Sequence, residues 1–149
     1  MIGCASPDGV AFGEFRCLSA DEQDERFNSV LGMYDAHCGL EAVFLTWTGN
    51  EYMYHMLRHN GADIPHEGLL ILRLFTLYDW HKNGAYGILA NEDDADVEPF
   101  VADFDETRRQ ARRALCGAKE MSDDECDALW NNYYFHIARK YGVDGLLMW

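Results

Sequence analysis

Apolar side chains recur at helical spacing along most of the chain from Leu40 onward, and this pattern predicts a mainly α-helical fold. Two stripes follow one another, the first formed by Leu40, Val43, Phe44 and Trp47 and the second by Tyr52, Met53, Met56 and Leu57. Between the stripes, Gly49 and Asn50 are poor helix formers, and they indicate a helix start at this point. Asn60 and Gly61 predict the end of the second helix.

Two further helices are predicted in the middle of the chain. Pro65 and Glu67 predict the start of the first of them, which runs through four leucines and ends at the sequence HKNG, residues 81–84. The leucines are Leu69, Leu70, Leu72 and Leu77. The next helix is predicted over residues 96–115, and its basic C-terminal end suits the helix dipole. Its inward-facing residues are predicted to be Phe100, Val101 and Phe104.

The last predicted helix has a clear start and end. Ser122 followed by three acidic residues predicts an N-cap and an acidic first turn. Gly142 predicts the end of the helix. Its buried face is predicted to contain Leu129, Trp130, Tyr133, Tyr134 and Ile137.

The first 30 residues differ from this helical body, because they carry Gly3, Pro7, Gly9 and Gly13 among short apolar pieces. We predict a loop-rich beginning over residues 1–30, with one short helix within residues 19–27. The 149 residues suit one domain of the all-α class, with its helical body over residues 38–149.

The charge and the cysteines exclude some classes of protein. Twelve Lys and Arg against 26 Asp and Glu give a net charge of −14, which repels phosphate backbones and anionic lipid. Neither nucleic acid nor a membrane surface is therefore expected as a partner. The longest apolar run, residues 68–77, is broken by Arg73 and is too short to span a bilayer. The five cysteines form no Cys-x-x-Cys pair and follow no secretory signal, which predicts reduced thiols in the cytoplasm.

Glu51, His55 and His59 are the best candidates for a metal site from spacing alone. They lie four residues apart, so they share one face of a helix and offer two imidazoles and one carboxylate. Thr48 and Arg58 belong to the same face, which fits the solvated side of an amphipathic helix equally well. Both interpretations stay open at this point.

Two other histidines have simpler interpretations. His37 and His81 lie at segment ends beside glycine and aromatic residues, where an imidazole often satisfies a backbone carbonyl. Cys38 is adjacent to His37, but neighbours in a helix point apart, so a thiol–base pair is weakly supported. The chain contains no glycine-rich phosphate loop and no Gly-x-Ser-x-Gly sequence.

A series of aromatic-rich segments carries a family resemblance. The series comprises LGMYDAHCGLEAV at residues 31–43, Trp47 with EYMY at residues 51–54, IPHEG at residues 64–68, Arg73, YDWH at residues 78–81, Tyr86, KYG at residues 140–142 and LLMW at residues 146–149. In this order the segments resemble the C-terminal half of the myo-inositol oxygenase family, nearly without gaps over the whole chain.

The resemblance implies a helical domain related to the His-Asp phosphohydrolase architecture. It also implies the family's reaction, in which two irons use dioxygen to cleave myo-inositol to glucuronate. The family's N-terminal half supplies a His and a His-Asp dyad to the irons, together with a substrate-binding Lys. That half is expected to lie outside this chain.

Two histidine ligands of the family are replaced in the half that is present. The family reads Trp-Gly-His-Asp-Glu-Tyr where residues 47–52 read Trp-Thr-Gly-Asn-Glu-Tyr, so Gly49 takes the place of a ligand. The family reads Arg-Phe-His-Ser where residues 73–76 read Arg-Leu-Phe-Thr, so Phe75 takes the place of a second. Neither residue offers a metal-binding atom in its side chain.

The family's carboxylate ligand and its substrate-binding Ser also map onto changed residues. An ungapped count from Pro99 places Arg108 at the carboxylate position, and a shift of register places Asp103 or Asp105 there. Thr76 keeps a hydroxyl where the family has its Ser, which leaves residual polyol binding open.

We therefore expect a family member without iron and without the family's reaction. Two hypotheses remain beside it: an enzyme with Glu51, His55 and His59 as a different ligand set, and a binding or interaction module that uses the retained scaffold. A fragment of a longer gene product is a third. Helices that pack on a missing half expose apolar faces, so we also expect a homo-oligomer or a partner that covers them.

Overall fold

The computed structural model describes residues 17–18, 20–27 and 29–149, and within them the regular structure is helical, without strands. The α-helices are α1 (Gly49–His59), α2 (His66–Leu74), α3 (Tyr78–Asn83), α4 (Glu92–Leu115), α5 (Asp123–Leu129) and α6 (Phe135–Lys140). A π-helical segment at Trp130–Tyr134 joins α5 to α6. The predicted all-α class is confirmed. Among the described helices, none combines the length and apolar character that crossing a bilayer requires.

The predicted loop-rich beginning lies largely outside the described residues, including its four glycine and proline positions. Within residues 19–27, the predicted short helix is present as a 3-10 turn at Ala20–Gln23. A second 3-10 turn, Leu40–Ala42, precedes α1.

Side chains cap the starts of α1 and α5, and the cap at Ser122 is the one that the sequence predicts. Thr48 Oγ1 accepts a hydrogen bond from the Glu51 backbone N–H at 3.3 Å, so α1 begins at Gly49. At α5, Ser122 Oγ accepts from the Glu125 backbone N–H, and the Glu125 carboxylate accepts from the Ser122 N–H at 2.8 Å. This reciprocal pair is a capping box, and it confirms the predicted N-cap.

Glycines in the left-handed region follow four of the helices, and these include Gly61 after α1, where the sequence predicts a helix end. Gly84 follows α3 with a φ of 66°, and Gly142 follows the last turn of α6 with the same φ. Because other residues adopt this φ at a cost, glycine at these positions stops the helix. Both predicted ends are confirmed.

The core lies where α2 packs between α1 and α4. It contains Leu40, Val43, Tyr54, Met56, Leu57, Leu69, Leu70, Leu74, Phe75, Trp80, Leu89, Val97 and Val101. The second predicted stripe is confirmed, because Met56 and Leu57 are buried and Tyr52 and Met53 pack partly buried against this core.

A buried ion pair between Glu51 of α1 and Arg73 of α2 joins these two helices. Each residue is only 4% exposed. Arg73 Nε donates to Glu51 Oε2 at 2.6 Å, and Nη2 donates to Oε1 at 2.8 Å. The guanidinium also lies 4.8 Å from the centre of the Tyr54 ring. The charge of Arg73 is thus neutralised by a bidentate contact and covered by an aromatic face.

The same arginine explains why the first apolar stripe is wrong as a helix. Beyond the turn at Leu40–Ala42, the chain is not helical until α1. Arg73 donates to the carbonyl of Glu41 at 2.8 Å and to that of Val43 at 2.9 Å. An α-helix would use those carbonyls for its own N–H groups. Of the predicted stripe, Leu40 and Val43 are buried, whereas Phe44 and Trp47 are exposed.

The helix predicted from residue 65 to the HKNG sequence is two helices. The first, α2, begins directly after Pro65 and ends at Leu74, and α3 begins at Tyr78. A hydrogen bond from the Leu77 N–H to the Leu74 carbonyl, at 2.8 Å, stabilises the turn between the two helices. His81 of α3 also contacts the Phe75 carbonyl, which satisfies an acceptor at the break.

The inward faces of the last two predicted helices are partly wrong. In α4, Val101 is buried as predicted, but Phe100 and Phe104 are 62% and 40% exposed. The buried stripe of α4 is Asp94, Val97, Val101 and Asp105. Two hydrogen-bonded carboxylates thus lie on the inward face, where phenylalanines were predicted. The predicted buried face of the last helix is exposed throughout, from Leu129 at 40% to Ile137 at 39%.

We predict that Arg73→Met lowers the free energy of unfolding by roughly 3–5 kcal/mol, because it leaves the Glu51 carboxylate buried without a counter-charge. The carbonyls of Glu41 and Val43 lose their donor as well. Urea unfolding followed by circular dichroism measures the loss.

Arg58→Met is the matched control, since Arg58 pairs with Glu41 from a side chain that is 52% exposed. Its loss is expected to stay near about 1 kcal/mol. Equal losses in the two variants would contradict the role given to the buried pair.

Candidate functional site

The start of α1, the end of α2 and the middle of α4 meet at one end of the helical body. Asn50 Nδ2 donates to Thr76 Oγ1 at 3.2 Å, which brings the first turn of α1 against the end of α2. The Arg108 guanidinium of α4 lies 4.9 Å from the centre of the Phe75 ring. The residues that the resemblance places at ligand positions, Gly49, Phe75 and Arg108, therefore lie at this end of the body.

The Phe75–Arg108 contact has no features of a metal site. The Phe75 side chain is 8% exposed, and its ring packs edge-on against Phe104 with 5.2 Å between ring centres. Arg108 Nη2 also donates to the Tyr78 hydroxyl at 3.2 Å. A benzyl ring offers no ligand atom and a guanidinium brings a positive charge, so these residues do not fit an iron ion.

Gly49, the third replaced position, is not required by packing. A Cβ at Gly49 would meet nothing within 4 Å, and its φ is not in the left-handed region. The backbone at Gly49 therefore has room for a larger side chain, and packing does not exclude an imidazole at this position.

Asp105 is a carboxylate in contact with Arg108, and cations surround it. It is fully buried, with Lys82 Nζ at 2.6 Å and Arg109 Nε at 3.2 Å from Oδ2, and Arg108 Nη2 at 3.7 Å from Oδ1. Burial by itself raises the pKa of Asp105, but the hydrogen bond from Lys82 and the charges of Lys82 and Arg109 outweigh it and lower that pKa. Asp105 therefore serves as the counter-ion of three cations, whereas Asp103 is exposed.

Charge holds this cluster together more than aligned hydrogen bonds do. Among the described residues, His81 Nδ1, Asp105 Oδ1, Arg108 Nε and Arg109 Nε are buried atoms without a hydrogen-bond partner. Arg109 also pairs with the half-exposed Glu106, with 2.5 Å between Nη2 and Oε2, so two carboxylates face three cations here. Lys82, Arg108, Arg109 and Asp105 are named below as the cationic cluster.

His37 and His81 have the structural roles that their positions predict. His37 Nδ1 lies 2.9 Å from the Ala90 carbonyl, and His81 Nε2 lies 3.1 Å from the Phe75 carbonyl. Each imidazole thus satisfies a backbone acceptor at the end of a segment. These predictions are confirmed.

Glu51, His55 and His59 share α1 but have different environments. His55 Nε2 lies 3.0 Å from Glu51 Oε1, while Arg73 donates to both carboxylate oxygens. Burial raises the pKa of Glu51, and the hydrogen bonds from Arg73 and His55 outweigh this effect, so the pKa is lowered. In the part of the chain that the structure describes, no three His, Cys, Asp or Glu side chains are grouped to hold a metal ion.

His55 and His59 instead border an aromatic groove of about 470 Å³. Its other lining residues are Trp47, Tyr52, Met56, Met148 and Trp149. Trp47 stacks on the His55 ring with 5.6 Å between ring centres, and Trp149 stacks on Tyr52 at 6.2 Å. The rings pack on one another and bring the C-terminal residues against α1.

Sequence reasoning missed Lys82 and Arg109 as members of the cationic cluster. Arg109 lies four residues after Asp105, so helical spacing alone was enough to suggest that pair. Lys82 comes from α3, and its contact depends on how α3 packs on α4. No local feature of the sequence indicates that packing.

We predict that Asp105→Asn lowers the free energy of unfolding at pH 7 by about 1.5–3 kcal/mol, because three cations lose their buried counter-charge. A carboxyl whose pKa is lowered by folding stabilises the protein above its unfolded pKa, and this stability is lost as the pH falls through the folded pKa. The difference between wild type and variant should therefore shrink in acid. Unfolding at pH 7 and in acid measures it.

Asp103→Asn is the matched control, because it removes the same charge from an exposed position two residues earlier in α4. It should leave stability almost unchanged at both pH values. A difference for Asp105→Asn that does not depend on pH would contradict the counter-ion role.

Known proteins are similar to this chain over its whole length. The family model described as myo-inositol oxygenase matches residues 1–149. Inositol oxygenase from Bos taurus is 39% identical over 151 residues, which cover 99% of this chain and 49% of that protein. Inositol oxygenase from Sus scrofa is 37% identical over 149 residues, covering 99% and 50%.

Similarity extends to plants, since inositol oxygenase 5 from Arabidopsis thaliana is 36% identical over 93 residues, 62% of this chain and 30% of that protein. The chain spans about half the length of the two mammalian relatives. The full-length match of the family model and the level of identity show that the chain belongs to the myo-inositol oxygenase family.

Proposed function

We propose that this chain is a non-catalytic member of the family, which keeps the helical scaffold as a binding module and does not perform the iron-dependent cleavage of myo-inositol. The observation that carries the proposal is the Arg108 guanidinium over the Phe75 ring, at two positions where the family has ligands. Gly49 at the third position offers no side chain.

Electrostatics supports the same conclusion. A unit positive charge about 5 Å from a divalent ion costs roughly 7 kcal/mol at an effective dielectric constant of about 20. Asp105, the carboxylate that would offset this cost, already has Lys82 at 2.6 Å. An iron ion at this end of the body would therefore have to displace existing ion pairs.

Polyol binding without cleavage is a second function that this end supports. Thr76 is exposed, and its hydroxyl accepts a hydrogen bond from Asn50 Nδ2, so an amide and a hydroxyl lie side by side at the surface. Both groups can exchange hydrogen bonds with the hydroxyls of a cyclic polyol.

The cysteines support a reducing compartment such as the cytoplasm for this function. Cys38, Cys116 and Cys126 are thiols. Cys116 and Cys126 are exposed, and exposed thiols persist where the surroundings keep them reduced.

We predict that the full chain, purified from an iron-supplemented culture, contains substoichiometric iron and consumes no oxygen when myo-inositol is added. The reason is the absence of imidazole and carboxylate ligands at positions 49, 75 and 108. Elemental analysis and an oxygen electrode measure both quantities on one sample.

The rival ligand set is tested on the same preparation. Stoichiometric iron that disappears in His55→Ala with His59→Ala, together with oxygen uptake that depends on myo-inositol, would overturn the proposal. Stoichiometric iron that survives this double substitution would also overturn it, because it would reveal another ligand set.

We predict that myo-inositol shifts the amide resonances of Thr76 and Asn50 in a two-dimensional NMR titration of the full chain. Thr76→Val removes the hydroxyl at nearly constant volume and should abolish the shifts. Thr107→Val, in the exposed part of α4, is the matched control and should leave the shifts in place. Shifts that persist in Thr76→Val would exclude this hydroxyl as the binding group.

A further inference from the structure

The aromatic groove beside α1 contains imidazole and thioether side chains together. His55 and His59 line it, and so do Met56 and Met148. The two histidines and Met148 are exposed, whereas Met56 is buried. Because residues four apart are neighbours on a helix surface, the two imidazoles of α1 can reach one ion. Imidazole and thioether are donors that soft metal ions prefer.

Glu51 determines which nitrogen of His55 is available as a metal ligand. His55 Nε2 lies 3.0 Å from Glu51 Oε1, and Arg73 donates to both oxygens of that carboxylate. An ionised carboxylate only accepts hydrogen bonds, so Nε2 carries the proton and Nδ1 of the neutral ring keeps its lone pair. Histidines that bind metals commonly donate their other nitrogen to a carboxylate in this way.

Asn60 holds Met148 beside the two histidines. Its Nδ2 donates to the Met148 carbonyl at 2.9 Å, and its Oδ1 accepts from the Met148 N–H at 2.7 Å. Asn60 directly follows His59 at the end of α1. The backbone of Met148 is thus fixed at two points, while its unbranched side chain is 66% exposed and free to turn its sulfur toward an ion.

Indole rings add a further attraction for a cation. Trp47 and Trp149 both line the groove, and they are 66% and 78% exposed. The faces of indole rings attract cations through their quadrupole. The net charge of −14 also raises the local concentration of cations around the chain.

From this donor set we infer that the groove binds one Cu(I) ion, with His55 Nδ1, an imidazole nitrogen of His59 and the Met148 thioether as ligands. Glu51 stays paired with Arg73 and orients His55 without binding the ion. The site therefore differs from the ligand set of Glu51, His55 and His59 that spacing alone suggests.

The donors favour Cu(I) over the common divalent ions. A thioether is a soft ligand that selects Cu(I), whereas zinc sites are built from His, Cys, Asp and Glu. Among the described residues that line the groove, only His55 and His59 belong to those four types. Two imidazoles and a sulfur suit a monovalent ion of low coordination number better than a tetrahedral divalent one.

A titration of the full chain with silver nitrate in chloride-free buffer tests the inference, because Ag(I) is an air-stable soft ion that stands in for Cu(I). The thiols are first alkylated with iodoacetamide, since thiolates bind the same ions. In spectra of methyl-labelled methionine, the Met148 methyl should shift and saturate together with the His55 and His59 ring resonances. The methyl of Met121, a thioether that is 49% exposed elsewhere in the chain, should stay in place. Equal shifts at both methionines would overturn the inference.

Competition with bicinchoninate under anaerobic conditions measures the affinity for Cu(I). Met148→Leu and His55→Ala should each weaken it by about tenfold or more, since mutations beside a metal ligand already cost this much. Met121→Leu and His66→Ala are the matched controls and should leave it unchanged. Like His55, His66 is an exposed imidazole paired with a glutamate, at 3.0 Å from Glu41. Unchanged affinity in Met148→Leu, or Zn(II) bound as tightly as Cu(I), would overturn the inference.

Discussion

The Glu51–Arg73 pair is the contact on which the rest of the described fold depends. It joins α1 to α2 inside the core, and the same guanidinium holds the carbonyls of residues 41 and 43. The segment before α1 is thereby fixed as an irregular chain instead of a helix. Glu51 also accepts from His55, so the position of one exposed imidazole follows from a buried carboxylate. Arg73 thus contacts α1 from α2, binds the loop before α1, and fixes the carboxylate that His55 contacts at the groove.

The Phe75–Arg108 contact and the cationic cluster occupy the end of the helical body where the family resemblance places ligand residues. Helix packing at this end needs a filled space and satisfied charges, and Phe75, Arg108 and Asp105 provide both without a metal ion. Phe75 fills the space beside Phe104, and Lys82 neutralises part of Asp105. These contacts join the end of α2 and α3 to α4 through residues that do not bind metal ions.

Local rules explain which parts of this molecule could be predicted from its sequence. The cap at Ser122 and the ends at Gly84 and Gly142 depend on neighbours a few residues away, and they were predicted correctly. The helix predicted from the stripe at Leu40 is wrong, because Arg73 donates hydrogen bonds to carbonyls of this segment. Arg73 lies 30 residues after Val43 in the chain. At the site, the resemblance points to Gly49, Phe75 and Arg108, with Asp103 or Asp105 as the alternatives to Arg108, and these assignments stay predictions. Lys82 entered through the packing of α3 on α4. Periodicity also identified the apolar face of the last helix but not its exposure, because burial depends on what lies opposite.

The contact between Phe75 and Arg108 also affects how single substitutions at these two positions would act. Histidine at position 75 alone would lie beneath a guanidinium, and aspartate at position 108 alone would face the Phe75 ring three residues from the Asp105 carboxylate. Neither substitution by itself approaches a metal site, so the two positions are coupled in the sense of a double-mutant cycle. Under the non-catalytic role proposed above, a ligand set at positions 75 and 108 would therefore require both substitutions together.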